Sequence, residues 1–325
     1  MSKVFVLGGT GFLGSYTVKE LLSKGYEVKT MALPPMPVED LLPSEVECSL
    51  GNINDLSDED IRELLSDCEG FIYAAGADER IVPQKPALKF FYEANVLPTQ
   101  RLARLAKESG VKKFVLFGSY FAEFTERLPE YHLRTQAYPN TRLLQEQVAF
   151  AEGEGSMTVT SLRLPYIFGT MSGRTPLWKM YTDQVKGKPV YPVLKGGTAM
   201  VTVEQVAEAA VGAMEKGGHR HTYAISALNM KFQDFFQMMV DALGQSDTTQ
   251  VPVVEYDEMK PIYEGIDNHA AEKGLEHGMH MVVSAKLQTE DLYLDPKETM
   301  SVLGIKDHDV IQSIKETLAL CVEAN

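Results

Sequence analysis

The chain has 325 residues, and 31 Lys and Arg against 45 Asp and Glu give a formal net charge of −14. This length exceeds the ~250–300 residues at which one hydrophobic core usually stops growing, so we expect two lobes. The acidic balance argues against a nucleic-acid partner, which needs a basic face for phosphates, and against docking on anionic lipid. No apolar run is long enough for a membrane helix. Cys48, Cys68 and Cys321 lack metal-ligand spacing, so we expect a cytoplasmic protein without a bound metal.

Short β-rich runs alternate with helical patterns along the first half of the chain, which is typical of a parallel sheet with crossover helices. The predicted strands are Lys3–Leu7, Glu27–Met31, Gly70–Ala74, Lys113–Phe117, Thr158–Leu162 and His221–Ile225. The predicted helices are Phe12–Lys24, a helix capped by Ser57, Asn95–Ser109, Thr141–Ala151 and Val203–Met214. Residues 169–198 are rich in glycine and proline and are predicted as loop. We predict a nucleotide-binding domain over residues 1–165, rejoined at about 200–226, and a substrate lobe over 166–199 and 227–325.

The clearest motif joins the first strand to the first helix. The apolar strand runs directly into a turn with glycines at positions 8, 11 and 14. Glycine permits the tight turn and a close approach of the backbone to a pyrophosphate, which would face the free N–H groups of the helix N-terminus. The motif therefore predicts a dinucleotide site made by Gly8, Thr10, Gly11, Phe12, Leu13 and Gly14.

Further motifs follow in order: Tyr73-Ala74-Ala75-Gly76, Asn95-Val96, Phe117-Gly118-Ser119, Arg163-Leu164-Pro165 and Leu303-Gly304. Together with the glycine spacing, this set resembles the extended branch of the short-chain dehydrogenase/reductase superfamily, the NAD-dependent epimerase/dehydratase-like proteins. The resemblance implies an α/β fold, a Rossmann doubly wound parallel sheet with a smaller C-terminal α/β substrate lobe. It also implies a homodimer through the helices near residues 95–109 and 139–152. Further cofactor contacts that it implies are Ala74, Ala75, Gly76, Asn95 and Pro165.

The choice between NAD and NADP depends in this family on the residue that ends the second strand, where an acid binds the ribose and an arginine the 2′-phosphate. Ala32 and Leu33 stand there, so neither rule is met. From Thr30 to Ile61 the chain has eight acids and no Lys or Arg. A 2′-phosphate would be repelled there, so we expect NAD, with Asn52 and Ile53 beside the adenine.

Relatives of this kind use a Tyr-x-x-x-Lys pair and a serine, and the matching segment here is Tyr138-Pro139-Asn140-Thr141-Arg142. The spacing places both side chains on one helix face. A tyrosine with its free pKa of ~10 needs a nearby cation to act as a base at neutral pH. Arg142 supplies a permanent charge, but its planar fork differs from a compact ammonium. The resemblance implies Tyr138 as general acid/base, Arg142 as its cationic partner, both in contact with the cofactor, and Ser119 as the group that orients the substrate oxygen.

Several interpretations stay open. The first is an NAD(H)-dependent oxidoreductase that acts on a small alcohol, ketone or sugar-like substrate. The second is a sugar-nucleotide epimerase or dehydratase, in which NAD is reduced and reoxidised within one turnover. The third is a regulatory NAD-binding protein without turnover. A different register of the motif would give the acid/base role to Tyr131, which has no cation four residues later.

The expected substrate loop bears on the second interpretation. Sugar-nucleotide enzymes of this branch usually carry an asparagine and an arginine that hold the diphosphate, and Tyr166 and, approximately, Thr198 stand at those positions here. The loss of both ligands disfavours a diphosphate substrate, because charge-assisted hydrogen bonds are the strong ones. We expect Tyr166 and Trp178 to line the substrate pocket instead.

Overall fold

A computed structural model describes residues 2–324, so residues 1 and 325, the ends of the two predicted domain ranges, lie outside the described residues. The strands are β1 (Lys3–Leu7), β2 (Glu27–Ala32), β3 (Glu47–Leu50), β4 (Gly70–Tyr73), β5 (Lys113–Ser119), β6 (Thr158–Leu164), β7 (Tyr166–Phe168), β8 (Gly197–Thr202), β9 (His221–Ala224), β10 (Leu228–Lys231) and β11 (Asp291–Leu292). The helices are α1 (Phe12–Ser23), α2 (Asp58–Leu65), α3 (Ala87–Phe91), α4 (Leu97–Glu108), α5 (Tyr120–Arg127), α6 (Ala137–Gly153), α7 (Lys179–Val185), α8 (Val203–Lys216), α9 (Phe232–Ala242), α10 (Tyr256–Glu272), α11 (Met281–Leu287), α12 (Met300–Leu303) and α13 (Val310–Glu323).

Seven strands form one parallel sheet in the order β3-β2-β1-β4-β5-β6-β9. The order reverses at β1, because the chain first builds outward to β3 and then returns to place β4 on the other side. In such sheets a crevice opens at the carboxyl ends of the strands on either side of the reversal. The predicted doubly wound parallel sheet is confirmed.

Helices cover both faces of this sheet, as its apolar strands require. On one face, α1 and α8 bury Val18, Leu21 and Val206 against the strands. On the other face, α2, α4 and α6 bury a second apolar cluster that includes Ile61 and Leu105. The predicted cap of α2 is confirmed, since the Ser57 hydroxyl accepts from the backbone N–H of Asp60 at 3.1 Å, and the Asp60 carboxylate accepts in return from the Ser57 N–H.

A second sheet lies beyond β6. Its central strand, β8, pairs with β10 in antiparallel and with β7 and β11 in parallel orientation. The apolar side chains of Phe168, Met200, Phe235 and Ile314 form its core together with α7, α9 and α13. Its first strand, β7, follows β6 of the large sheet directly, with only Pro165 between them.

The structure corrects three details of the predicted elements. β3 was not predicted, and its four residues are all exposed, so they lack the buried alternation that marks a strand. Residues 169–198 are not entirely loop, since α7 lies within them. The helix expected over Thr141–Ala151 begins earlier, at Ala137, and therefore includes Tyr138.

Candidate active site

A cleft of about 360 Å³ opens at the carboxyl ends of β1, β4, β5 and β6. The second sheet contributes its far side through β7 and the segment that leads to α7. Most of the predicted site residues line it: Gly11, Phe12, Leu13, Gly14, Ala74, Ala75, Gly76, Ser119, Tyr138, Arg142, Pro165, Tyr166 and Trp178. One cleft thus joins the glycine turn, the proposed catalytic residues and the proposed substrate residues.

The other predicted cofactor residues lie outside the cleft lining. Gly8 and Thr10 form the turn beneath it, with Gly8 at φ +87°, where an L side chain would be strained. Asn52 caps its own turn by accepting from the backbone N–H of Asn54 at 3.1 Å. Ile53 is buried in the core beside α2 and α4.

Asn95 also lies behind the cleft wall. Its side chain is fully buried, donates to the carbonyl of Ala77 at 3.0 Å and accepts from the Ala77 N–H at 2.8 Å. The asparagine therefore holds the loop after β4 in place. The sequence predicted Asn95 as a site residue, but it did not predict this contact, because Ala77 lies 18 residues away in the chain.

The glycine turn fits a pyrophosphate. A Cβ at Gly14 would overlap the Gly8 carbonyl, and one at Gly8 would lie 2.7 Å from the carbonyl oxygen of Ala74. Within the described residues, the backbone N–H groups of Phe12 and Gly14 have no hydrogen-bond partner, and no side chain caps α1. These free donors face the cleft at the positive end of a twelve-residue helix, which suits an anionic group.

Neither Ala32 nor Leu33 at the end of β2 carries a positive charge. Several acids of the following stretch have partners of their own. Glu47 pairs with Lys3, whose Nζ lies 2.5 Å away. Asp58 pairs with Arg101 at 2.8 Å, and Asp60 belongs to the cap of α2. The expected repulsion by eight neighbouring acids is therefore reduced, because several of them are neutralised by residues outside that stretch of sequence.

Ser119 ends β5, Tyr138 and Arg142 lie one turn apart on α6, and all three are nearly fully buried. The Ser119 hydroxyl accepts from the backbone N–H of Phe121 at 3.3 Å, and it acts to lower the pKa of the neighbouring Tyr138 phenol. The Arg142 guanidinium lies over the Tyr138 ring, 5.8 Å from its centroid. The sequence-predicted constellation is thus assembled in space.

The surroundings of Tyr138 favour its neutral form. Burial raises the pKa of the Tyr138 phenol well above its usual value, and the negative charge of Glu79 adds to this. The positive charge of Arg142 and the hydrogen bond from Ser119 act in the opposite direction but do not outweigh burial. Without a ligand, Tyr138 is therefore a proton donor rather than a base.

The guanidinium of Arg142 is only partly engaged by the protein. Its Nη2 donates to the carbonyl of Phe117 at 2.5 Å, while its buried Nε has no hydrogen-bond partner among the described residues. Nη1 points toward Gly76, lying 3.6 Å from the position of a Cβ there. An unsatisfied donor in a buried site is costly, and a ligand hydroxyl would satisfy it.

Tyr131, the alternative acid/base residue, does not line the cleft. Its hydroxyl donates to a carboxylate oxygen of Glu290 at 2.5 Å. Burial, followed by this hydrogen bond, raises the pKa of Tyr131 to about 12. The structure therefore places Tyr138, and not Tyr131, beside the glycine turn.

A buried ion pair fixes α6, which carries two of the three residues. Arg163 on β6 binds both carboxylate oxygens of Glu146, through Nε at 3.1 Å and Nη2 at 2.7 Å. Glu146 also accepts from the Ser161 hydroxyl at 2.8 Å. Because both charged side chains are about 96–97% buried, the pair sets the rotation of the helix face that bears Tyr138 and Arg142.

The cleft also contains residues beyond those predicted to contact the cofactor or the substrate. Aromatic side chains of Tyr120 and Tyr181 extend the wall formed by Tyr166 and Trp178, whose rings are 4.9 Å apart. Glu79 lines the same region. Of the five cations between residues 174 and 195, Arg174 is the one that the cleft lining includes. No motif in the sequence indicated Tyr120 or Glu79, because the cleft lining here is assembled from three separate chain segments.

Among residues 2–324, no group of three or more His, Cys, Asp or Glu side chains is arranged to hold a metal ion. In the same part of the chain, no helix combines the length and the apolar character needed to span a membrane.

Comparison with known proteins gives several partial matches. The chain is 30% identical over 118 residues to a putative dihydroflavonol 4-reductase from Synechocystis, covering 36% of this chain and 33% of that protein. It is 28% identical over 174 residues to the human sterol-4-alpha-carboxylate 3-dehydrogenase (decarboxylating), covering 50% and 44% respectively. The chain thus spans less than half the length of these two relatives.

Solved structures match along the whole chain. The crystal structure of gox2253 aligns with a TM-score of 0.77 at 20% identity, covering 100% of this chain and 99% of that one. MoeE5, in complex with UDP-glucuronic acid and NAD, aligns with a TM-score of 0.67 at 17% identity, with 100% of both chains covered. At these identities the matches establish the shared fold. A family model for the NAD dependent epimerase/dehydratase family matches residues 4–226, and the chain therefore belongs to that family.

Proposed function

We propose that this protein is an NAD(H)-dependent oxidoreductase that interconverts a secondary alcohol and a ketone on a small ring-containing or sugar-like substrate. The observation that carries the proposal is the convergence of Tyr138, Ser119 and Arg142 on one cleft beside the glycine turn. The curated relatives named as a reductase and a dehydrogenase support the same reaction class.

In this proposal the protein's residues manage the proton and the position of the substrate oxygen. Ser119 and Tyr138 both bind that oxygen, and neutral Tyr138 donates its proton as the carbonyl becomes an alcohol. The Arg142 charge stabilises the resulting phenolate, which acts as the base in the reverse direction. Bound NADH supplies the hydride and NAD⁺ accepts it. Because the cleft residues around Tyr138 are buried, water is excluded from the reacting groups.

The residues present fit the cofactor. We propose that the free N–H groups of the α1 turn hold its pyrophosphate and that the unsatisfied Nε or Nη1 of Arg142, together with Tyr138, binds a ribose hydroxyl. We propose NAD rather than NADP because Ala32 and Leu33 at the end of β2 give a 2′-phosphate no cation. Titration of protein fluorescence should therefore show NADPH binding at least about tenfold more weakly than NADH.

The direct test is a panel of secondary alcohols and ketones, followed by absorbance at 340 nm. The wild-type protein should turn over at least one pair, and Tyr138→Phe should abolish turnover while NADH still binds, with an affinity lowered by no more than the loss of one hydrogen bond to the ribose. Equal rates for wild type and Tyr138→Phe would overturn the assignment of the acid/base residue. NADH binding without any turnover across the panel would instead favour a regulatory NAD-binding protein.

A second candidate is a sugar epimerase or dehydratase, favoured by the match to the family of that name. Against it stands Thr198, which is fully buried and bonded to the Tyr120 hydroxyl where a diphosphate ligand would be needed. Tightly bound NAD released on denaturation of the purified protein would favour this candidate, because an internally recycled cofactor does not need to leave.

We also propose the coarser organisation of the molecule. Residues 166–199 and 227–325 form the substrate lobe and the remainder the cofactor domain. A homodimer forms through α4 and α6, next to the exposed side chains of Tyr92 and Leu97. No disulfide joins the cysteines within residues 2–324, and this supports a reducing, cytoplasmic setting. Light scattering should give twice the chain mass of 36.1 kDa.

A further inference from the structure

The substrate half of the cleft contains a carboxyl group among aromatic side chains. Glu79, which follows β4, lines it together with Tyr120, Tyr166, Trp178 and Tyr181. Burial is the main reason that the pKa values of Tyr120, Tyr166 and Tyr181 are raised, and the negative charge of Glu79 contributes in each case. The carboxyl therefore lies close to several phenol groups of one wall.

The loop that carries Glu79 is fixed on both sides. Before it, the buried amide of Asn95 binds both backbone groups of Ala77. Asp78 and Arg80, the residues on either side of Glu79, are bonded to each other. The Asp78 carboxylate accepts from the backbone N–H and the Nε of Arg80, both at 3.0 Å, and from its Nη2 at 2.6 Å. With its neighbours held in this way, Glu79 is presented to the cleft by a preorganised loop.

Glu79 has no partner of its own in the part of the chain that the structure describes. No ion pair or side-chain hydrogen bond joins it to another residue, and Arg80 is engaged by Asp78. Burial raises the pKa of the Glu79 carboxyl, although the charges of Arg80 and Arg142 and the backbone N–H of Glu79 itself act in the opposite direction. A ligand that donates a hydrogen bond would stabilise the charged form.

The same region offers little to an anion. Arg80 is paired with Asp78, Arg174 is exposed at the rim, and the free nitrogens of Arg142 are the ones that the proposed function assigns to a ribose hydroxyl of the cofactor. The aromatic wall is continuous instead, with ring centroids 4.9 Å apart for Tyr166 and Trp178 and 5.8 Å for Trp178 and Tyr181. Such a wall suits the face of a ring system.

We infer that Glu79 selects the substrate by accepting a hydrogen bond from a hydroxyl or ammonium group on an uncharged or cationic ring compound, and that it rejects carboxylated and phosphorylated substrates. The inference rests on the proposed function, which places the reacting oxygen at Tyr138. The substrate's ring stacks on the wall of Tyr166 and Trp178, with its donor group toward Glu79. In this arrangement Glu79 determines specificity and takes no part in proton transfer.

The chain has one tryptophan, and it lies in this wall, so its fluorescence reports directly on the cleft. The probes are four ketones that differ at one ring position: cyclohexanone, 4-hydroxycyclohexanone, 4-aminocyclohexanone and 4-oxocyclohexanecarboxylate. Each is titrated into the protein saturated with NADH while Trp178 emission is followed, and absorbance at 340 nm is recorded in parallel. The variant is Glu79→Gln, and the matched control is Glu93→Gln, an exposed acid outside the cleft lining.

We expect the hydroxy and amino ketones to bind the wild-type protein at least about tenfold more tightly than the carboxylate. Glu79→Gln should lose most of the preference for the amine, and Glu93→Gln should keep it. A carboxylate that binds most tightly, an unchanged ranking in Glu79→Gln, or no response of Trp178 to any ketone would overturn the inference. The order in which the wild-type protein binds the four ketones tests the inference even if the Glu79→Gln variant fails to fold. The expected ranking without absorbance change at 340 nm would refute hydride transfer to these ketones and leave the selection by Glu79 standing.

Discussion

Replacing Gly278 by alanine should disturb Tyr138, the proposed acid/base residue, from a distance of 140 residues along the chain. Gly278 is buried between the Phe91 ring and α6, and its carbonyl accepts from the backbone N–H of Tyr138 at 2.6 Å. A Cβ at this position would lie 2.8 Å from Cζ of Phe91 and 2.9 Å from Cβ of Tyr138, and closer still to Cε2 of Phe91. Carbon atoms in contact prefer about 3.5–4.0 Å, so the neighbours must move by about 1 Å.

The size of the effect follows from that displacement. Overpacking of this kind costs about 1–3 kcal/mol of unfolding free energy. At roughly 2–4 °C per kcal/mol for a large single chain, the melting temperature should fall by about 2–12 °C. A misplacement of about 1 Å at a reacting group can reduce the rate by about 100-fold, so turnover should fall more than stability suggests. NADH affinity should change much less than the rate, because Gly278 does not line the cleft and the glycine turn lies on separate elements.

The assay is a thermal melt, an NADH titration and the rate of ketone reduction for the Gly278→Ala protein. Gly265→Ala is the matched control, since a Cβ at Gly265 on α10 has no atom within 4 Å. That control should keep wild-type activity and gain about 0.5–1 kcal/mol of helix stability. If Gly278→Ala retains both the wild-type rate and the wild-type melting temperature, the reasoning about this contact is wrong.

Three other outcomes are expected. Arg163→Met should lower the unfolding free energy in urea by about 3–5 kcal/mol, because Glu146 would stay buried without its partner, and a loss below about 1 kcal/mol would argue against a structural ion pair. Arg142→Met should reduce turnover by about 100-fold or more, because the charge that lowers the pKa of Tyr138 would be lost. Arg142→Lys keeps a positive charge and should lose less activity. An equal loss of turnover in the two variants would contradict this role of the charge. Because the pKa values of Tyr120 and Tyr138 are raised, the folded state holds their protons more tightly than the unfolded state. The free energy of unfolding should therefore fall as the pH rises above ~10. A melting temperature that does not change from pH 9 to 11 would refute this pH dependence.

The first half of the fold could be predicted because its signals are local. The turn from β1 into α1 needs glycines whose Cβ atoms would meet the turn itself, so spacing and structure agree over a few residues. The Ser57 cap is equally local, because its two hydrogen bonds connect residues three apart. The edge strand β3 escaped prediction for the opposite reason: its pairing with β2 stabilises it, while its own side chains are all exposed.

The candidate site could be predicted only where the chain keeps its motif together. Tyr138 and Arg142 are one helical turn apart, so their proximity is visible in the sequence. The pairing of Glu47 with Lys3 is not visible, although it changes the charge beside the end of β2. The contact of Asn95 with Ala77 belongs to the same class, since the two residues are 18 positions apart in the sequence.

Two further contacts that the sequence did not reveal join the C-terminal part of the chain to the start of α6. The segment before α11 bonds twice to the start of α6, through the Gly278 carbonyl to the Tyr138 N–H and through the His280 N–H to the Gln136 side chain at 2.9 Å. These two bonds satisfy groups at the N-terminus of α6, which no side chain of its own caps. The orientation of the acid/base tyrosine therefore depends on the C-terminal segment as well as on the ion pair beneath the helix. A substitution that loosens this segment should impair proton transfer before it affects the cofactor, because the glycine turn lies on separate elements.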